Sequence, residues 1–463
     1  MRREGSIEMA GDRSPAFHTL AGYGLGDAGF LLVWHGSALF LLYAYTDILG
    51  LTPALAGLIY LVAMIWDAVS DPLIAAWAER RAARTGTYSG LIALAALPVG
   101  LTYALLYVAP PGAPWAVALW ALAAHLVFRT AYTIASMPYN TLPVRLTTDG
   151  KARSALSGWR VVGAATGGIL TAVLTPLIAG QVLAGGASEG TGYAVAALAI
   201  GALSATFLFA CARLVGEPVR PGLARPAPGF RAAMTGMLAA ARHNPPFRTL
   251  IGLIVLGTIG GGFFTHNALY FMTHVIGRPD AITLVLASSA LATVFAAPAW
   301  VILAGRTSKR TSLMTGLAVA AVGYLLLGFA SGPDLLVPLI GVIIAGAGGA
   351  AIPVMLWSMV PDTIEHGEAE TGERVEARSF GLTTFAQKTA VGITVLLAGG
   401  LLSLAGYGES AAPSEDALLA IRLMVSALPA GIFIATLFWV RTYPINAARH
   451  AEILKQLAER QTR

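Results

Sequence analysis

Apolar runs of about 20 residues or more recur along this chain from Phe17 to Val440, broken only by short polar connections. No other feature limits the fold as much. A backbone immersed in hydrocarbon must satisfy its own hydrogen bonds, which leaves helices or closed barrels. Runs of this length span a bilayer as helices, and they lack the strict alternation of barrel strands. About twelve are present by that length rule, at roughly 17–46, 53–79, 88–109, 114–142, 152–181, 190–215, 247–276, 280–304, 311–330, 335–364, 376–406 and 415–441. The expected class is therefore an all-α integral membrane protein. The runs 17–46 and 152–181 exceed a bilayer's needs and predict tilt or projection. Composition agrees: 56% of residues are hydrophobic and 12% charged, with a mean hydropathy of +0.70. A soluble domain needs more polar surface than that.

The net charge is +6 over 463 residues, and its placement carries the information. Basic residues crowd alternate connections, among them Arg80, Arg81, Arg84, Arg145, Lys151, Arg153, Arg306, Lys309, Arg310, Arg374 and Arg378. The other connections hold Arg278 beside Asp280, Asp334, Glu409, Glu415 and Asp416. Under the positive-inside rule both termini are expected in the cytoplasm of a multi-pass cell (inner) membrane protein. The basic balance then reports topology, and no nucleic-acid partner is expected. The polar N-terminus "MRREGSIEMAGDRSPA" lacks the apolar core of a removable signal. The single cysteine, Cys211, excludes an intrachain disulfide and is expected to be inert packing.

Residues 216–246 are rich in Pro, Gly and Arg and break the pattern. They are expected to form a cytoplasmic linker, with a short amphipathic piece near 230–242, between a six-helix bundle at 1–215 and another at 247–441. A cytoplasmic tail helix is expected at 442–463. The two halves echo each other in order. "FHTLAG" at Phe17 matches "FRTLIG" at Phe247, "DPLIAAWAER" at Asp71 matches "APAWVILAGR" at Ala297, and "MPYNTLP" at Met137 matches "MLWSMVP" at Met355. The offsets, about 220–230 residues, are those of an internal repeat. Parallel six-helix repeats are the build of major facilitator transporters, whose substrate site lies at mid-membrane between the halves.

Ionisable residues in spans cost roughly 2.5–3.5 kcal/mol each at mid-membrane, so their presence marks function. Here they are Asp27, Asp67, Asp71, Arg129, Arg160 and Lys388, with His35, His125 and His266 as neutral-capable additions. Asp67 and Asp71 sit four residues apart on one helix face. Two close carboxylates in low dielectric require a cation or a proton between them. Ser70, the carbonyl freed by Pro72, and Thr133 offer further oxygen ligands of the kind hard cations take. The structural alternative is that each acid pairs with Arg129 or Arg160 and only holds helices together. Arg129, Thr133, Ser136 and Asn140 share one face of the fourth span, flanked by Tyr132 and Tyr139. The three acids and three bases sum to zero, as a closed network would. His125 and His266 are expected to be packing histidines. Gly22, Gly24 and Gly26 are expected to allow close helix approach.

"IWDAVSDPLIAAW", "YGLGDAGF", "YTIASMPYNTL", "RSALSGWR" and "PDTIEHGEAETGERVEARSFGLTTFAQK" resemble, in this order, segments of the glycoside–pentoside–hexuronide:cation symporters. The resemblance covers nearly the whole chain. It implies a major facilitator fold of about twelve transmembrane helices. It also implies a symporter for a small polar solute, sugar-, glycoside- or uronide-like, coupled to Na+ or H+, with Li+ as an allowed substitute. On this likeness Asp67 and Asp71 bind the cation with Thr133 contributing, and Ser70 is expected there from its place beside them. Asp27 and Arg160 bind the solute's hydroxyls, Thr384 lines the cavity and Lys388 links the two sites, while Arg129, Tyr132, Ser136 and Asn140 are expected at the solute site from their shared place on the fourth span. Arg145, Arg153, Asp362 and Arg374 form gate contacts. The chain departs from the melibiose permease type where Ser136 replaces an aspartate, Asn140 a tryptophan and Arg129 a small residue, and Ser70 replaces an asparagine found in sodium users, which leaves Na+ and H+ both open. The cation half of the site is intact and the sugar half altered. An amphiphilic or anionic substrate such as a lysolipid is the alternative cargo, and a non-transporting membrane ligand sensor the alternative class. No enzyme activity, cofactor or resident metal is expected, and the chain is expected to be monomeric in the bilayer.

Overall fold

The computed structural model describes residues 16–147, 149–219, 230–242, 244–372, 375–408 and 412–461. The first six passes are α1 (Phe17–Tyr43), α2 (Pro53–Thr85), α3 (Ser89–Leu105), α4 (Pro114–Leu146), α5 (Gly150–Ala184) and α6 (Glu189–Leu214). An amphipathic helix, α7 (Phe230–Arg242), follows. The remaining passes are α8 (Pro245–Tyr270), α9 (Ile282–Arg306), α10 (Lys309–Leu327), α11 (Leu336–Gly349) running on into α12 (Ala351–Thr371), α13 (Glu376–Leu404), and α14 (Glu415–Val425) followed by α15 (Ala427–Val440). The tail forms α16 (Ala447–Gln461). Among the described residues, eleven helical stretches are long and apolar enough to cross a membrane, and Ser89–Leu105 is a shorter apolar helix that makes a twelfth pass.

The helix ends carry residues whose chemistry suits them. Proline opens α2, α4 and α8, where its missing N–H costs nothing. Asp149, Ser188, Asn244, Ser308 and Ser414 each cap a helix by accepting a backbone N–H three residues on. α2 runs through Pro72 without interruption, while the last pass breaks at Ser426. Outward-facing leucines such as Leu94, Leu97 and Leu101 on α3 are exposed, whereas Ile92, Ala95 and Val99 on its other side are buried. Apolar character on all sides suits a helix whose outer solvent is lipid.

α1 packs along α5 and α6, and α3 along α4 and α6; in the second half α10 packs on α11 and α15, and α13 on α8. The halves meet through α2 against α13, α5 against α9 and α1 against α8. These contacts concentrate at the end of the bundle opposite the termini, called the far end below. α5 is buried at Thr171, Ala172 and Thr175 yet exposed at Ser157, Gly158 and Arg160. α9 is buried at Ile282, Val285 and Leu286 and exposed toward Arg306. The halves thus close at the far end and part toward the end bearing both termini.

The far-end seal shows the internal repeat in atomic terms. α1 ends in a π-helical turn, Ala44–Ile48, and α8 ends in another, Phe271–Val275. These turns face each other. Thr46 Oγ1 lies 2.5 Å from the Tyr270 hydroxyl, and Tyr407 donates to Asp47 at 2.7 Å while touching His274 Nε2 at 2.8 Å. Beside them α2 and α13 approach at backbone distance. A Cβ on Gly57 would stand 2.8 Å from the Val395 carbonyl oxygen, and one on Gly399 would collide with the Pro53 carbonyl. Small residues permit such approach where lipid supplies no hydrophobic drive.

Overpacking a close contact costs about 1–3 kcal/mol, which here opposes closure of the far end. Gly399→Val is therefore expected to lengthen the distance distribution between spin labels at Gly50 and Gly408, measured by double electron–electron resonance. An unchanged distribution would count against Gly399 as part of the seal.

Candidate functional site

The interior charges sort into three groups near the helix midpoints. In the first, Asp67 and Asp71 on α2 face Thr133 on α4 and Lys388 on α13. Thr133 Oγ1 lies 2.8 Å from Asp67 Oδ1 and 3.2 Å from Asp71 Oδ1. Lys388 Nζ donates to Asp71 Oδ2 at 2.5 Å and lies 2.9 Å from Asp67 Oδ2, an ion-pair distance without hydrogen-bond directionality. Asp67 is wholly buried and Lys388 nearly so, while the Asp71 side chain keeps 14% exposure. Ser70 turns its hydroxyl to the Asp67 carbonyl at 3.2 Å, so its proton is committed to its own helix. Two acids and one base leave this cluster with one unmatched negative charge. In low dielectric such an imbalance demands one further positive charge.

The second group is Asp27 with Arg160. Arg160 Nε donates to Asp27 Oδ1 at 3.0 Å, and its guanidinium lies 5.5 Å over the Tyr139 ring. Tyr139 in turn stacks on Tyr23 and donates to the Tyr23 carbonyl. Asp27 is buried, but the Arg160 side chain is 44% exposed toward the end where the halves part. Ser136 is buried between these groups in sequence, its hydroxyl without a hydrogen-bond partner, and Asn140 is exposed. Tyr132 is half-buried, with its ring 5.3 Å from Phe30 and 5.7 Å from Trp34. Thr384, one turn before Lys388, donates to the Phe380 carbonyl of its own helix.

The third group corrects the expectation of a closed network. Arg129 pairs with no carboxylate among the described residues. Its Nε donates to His125 Nε2 at 3.3 Å, and its guanidinium carbon lies 4.8 Å from the Trp34 ring centroid, 5.4 Å from Phe128 and 5.9 Å from Tyr60. The acids that the purely structural alternative would give it are held by other bases: Lys388 takes Asp67 and Asp71, and Arg160 takes Asp27. The stripe from Arg129 to Asn140 does share a face, but it runs from a sealed interior to an open end. Trp34, Tyr60 and His125 were not singled out as a set, although each stands at helical spacing from a charge: Trp34 two turns after Asp27, Tyr60 two turns before Asp67, His125 one turn before Arg129.

The gate residues sit at the end bearing the termini and bond within their own halves. Arg145 holds Glu217 at 3.2 Å and the Gly86 carbonyl at 2.6 Å, while Glu217 also caps the Tyr88 and Ser89 amides. Arg153 donates to the Thr147 carbonyl. Asp362 receives Lys309 at 2.7 and 2.8 Å and lies 3.6 Å from His450 of α16, which contacts Glu365 at 2.7 Å. Arg374 lies outside the described residues. Among the packing expectations, Gly24 lies against the Trp159 backbone and Gly26 against Cys211, which is fully buried.

Comparison with known proteins agrees with this architecture. The chain is similar to the glucuronide carrier protein homolog of Escherichia coli, 24% identical over 96% of each chain, and to the inner membrane symporter YicJ of the same organism, 25% identical over 95% of this chain and 94% of that one. Among solved structures it superposes on a proton-dependent oligopeptide transporter with a TM-score of 0.66 at 14% identity, covering 96% of this chain and all of the other. It also superposes on an inward-facing bacterial homolog of the lysosomal transporter Spinster, with a TM-score of 0.63 at 15% identity and coverage of 97% and 98%. These likenesses show the fold: two six-helix pseudo-repeat bundles of the major facilitator type. A sequence model described as MFS/sugar transport protein matches residues 22–447. The chain therefore belongs to the MFS/sugar transport family, in its glycoside–pentoside–hexuronide symporter branch, and is a multi-pass membrane transporter rather than an enzyme.

Proposed function

We propose that this transporter couples the movement of a sugar-class solute to a monovalent cation, Na+ or H+, by alternating access. One observation carries the reading: Asp67 and Asp71 share a single ammonium, that of Lys388, and so hold one unmatched negative charge at mid-membrane. A proton on one carboxylate would neutralise that charge. A Na+ ion would do the same, held by the carboxylate oxygens and Thr133 Oγ1, with the Ser70 hydroxyl oxygen adjoining; this all-oxygen donor set suits a hard cation.

Lys388 sits where a cation would sit, so cation and ammonium compete for the same oxygens. Cation entry draws the shared oxygens away from Lys388 and weakens its hold on them, and Lys388 belongs to the half opposite Asp67 and Asp71. Loading the site thereby loosens a bond between the halves, and rocking follows. The solute binds nearby, with Asp27 and Arg160 as hydrogen-bond partners for hydroxyls, Ser136 and Asn140 toward the open end, and Tyr132 as an apolar ring face. Thr384 lies one turn from Lys388 on α13. With both termini in the cytoplasm of a bacterial inner membrane, as the basic connections indicate, the state described opens inward. The chain is taken to act as a monomer.

Asp67→Asn and Asp71→Asn are each expected to reduce cation-driven uptake of sugar by proteoliposomes to the level of empty vesicles. Full gradient-driven uptake by the double variant would sink the assignment, and absence of any flux by the wild-type chain would favour a sensor.

Removing Lys388 tests the competition separately. Breaking a buried pair costs about 3–5 kcal/mol because the partner charge is left unmatched. Lys388→Gln is expected to lower the unfolding temperature at neutral pH without added Na+. Saturating Na+ or lowered pH should restore more stability to this variant than to the wild type. Equal stabilisation of the two chains would refute the shared site, and whichever condition acts identifies the ion.

A further inference from the structure

Among the described residues no carboxylate pairs with the positive charge of Arg129. The residue is 1% exposed, and its Nη1 is buried without a hydrogen-bond partner. Its one described hydrogen bond goes to a histidine. Because Arg129 Nε donates to His125 Nε2, that nitrogen carries no proton, and His125 Nδ1–H faces the Tyr45 hydroxyl at 3.2 Å. The imidazole is therefore neutral and adds no countercharge. The rings of Trp34, Tyr60 and Phe128 offer their negative faces, which compensate a cation only in part. A guanidinium kept in this condition at mid-membrane is expensive, and its planar fork matches an oxyanion better than any other ligand.

The cage also sets when such an anion is admitted. Trp34 and Tyr132, both half-buried, stand on one side of it. On the other, the Tyr60 ring meets His266 of α8 edge-on at 5.5 Å, and this contact joins the two halves. An opening of the far end would part Tyr60 from His266 and uncover the guanidinium. Closing it would restore the cover.

Resting on the sugar-transport reading above, we propose that Arg129 is a specificity-determining residue that reads an oxyanion, carboxylate or sulfonate, on the transported sugar, and that it does so in the state open at the far end. The unmatched negative charge of the aspartate cluster and the unmatched positive charge of Arg129 are then complementary. The cation fills one and the acidic sugar fills the other.

The test uses the full-length protein in proteoliposomes, with neutral, C6-carboxylate and C6-sulfonate forms of the same gluco- and galacto-hexosides. Uptake competition and calorimetric binding are read for each. A hydrogen bond to a charged group is worth a factor of about 10 to 100 in affinity, so at least one acid should bind the wild type that much more tightly than its neutral parent. The two acid arms show which oxyanion is preferred. In Arg129→Gln that acid-to-neutral ratio should collapse toward one, and in Arg129→Lys it should survive in part. Asp27→Asn should weaken acid and neutral forms alike. Gly399→Val, which favours the far-open state, should raise the ratio. A wild type that takes up neutral sugars with no preference for acids overturns this inference while leaving the transport function standing. A folded Arg129→Gln that keeps the preference also overturns it, and if that variant fails to fold, an unchanged ratio in Arg129→Lys together with no rise in Gly399→Val does so. A wild type that takes up none of the panel overturns the sugar reading and this inference with it.

Discussion

The sharing of one ammonium by two carboxylates is the constraint on which the rest of the molecule turns. Asp67 and Asp71 belong to α2 and Lys388 to α13, so the bond that satisfies the most costly charges in the interior is also a bond between the halves. Neither partner is stable alone at that depth. The protein must keep the halves together there, or bring in another cation. Everything nearby serves this choice: Thr133 aims its hydroxyl at both acids, the glycines let α2 and α13 touch at the far end, and the helices part toward the termini so that Asp71 keeps some contact with solvent.

A transporter needs two states of similar energy, and the contacts described here are graded accordingly. The far-end seal is made of hydroxyl, imidazole and carboxylate contacts and of close glycines. Buried apolar residues such as Ile282, Val285 and Leu286 pack beside them. Such contacts are individually modest, so a ligand that changes one buried charge can tip the balance between states. The ion pairs at the end bearing the termini stay within their own halves. Arg145 with Glu217, and Lys309 with Asp362, hold loops and helix ends in shape while that end is open.

Much of this was legible before any coordinates. Twelve passes follow from run length alone, because hydrocarbon leaves a backbone few choices. The six interior charges could be named because each is costly enough to need a reason. The short third pass and the break at Ser426 were not legible, since apolar residues continue past both. Partnership was the harder matter. Asp71 and Lys388 lie 317 positions apart, and a zero charge sum does not say which base answers which acid. Arg129 was read as one member of a network because its face coincides with Thr133 and Ser136. Its isolation depends on where α1, α2 and α4 meet, and helical spacing does not fix that. Asp47 was passed over because an acid at the end of a span resembles an ordinary loop charge; only the π-helical turn brings it inside the seal.

The two π-helical turns hold equivalent places in the repeat, and Asp47 of the first faces His274 of the second at 4.0 Å. A bundle built from two identical halves would set like against like at this point. Two aspartates would repel, and two imidazoles would give the Tyr407 hydroxyl no carboxylate to hold. The seal therefore depends on the halves having diverged. The closure of this end thus rests on a difference between the copies, an acid in one and an imidazole in the other at the same register.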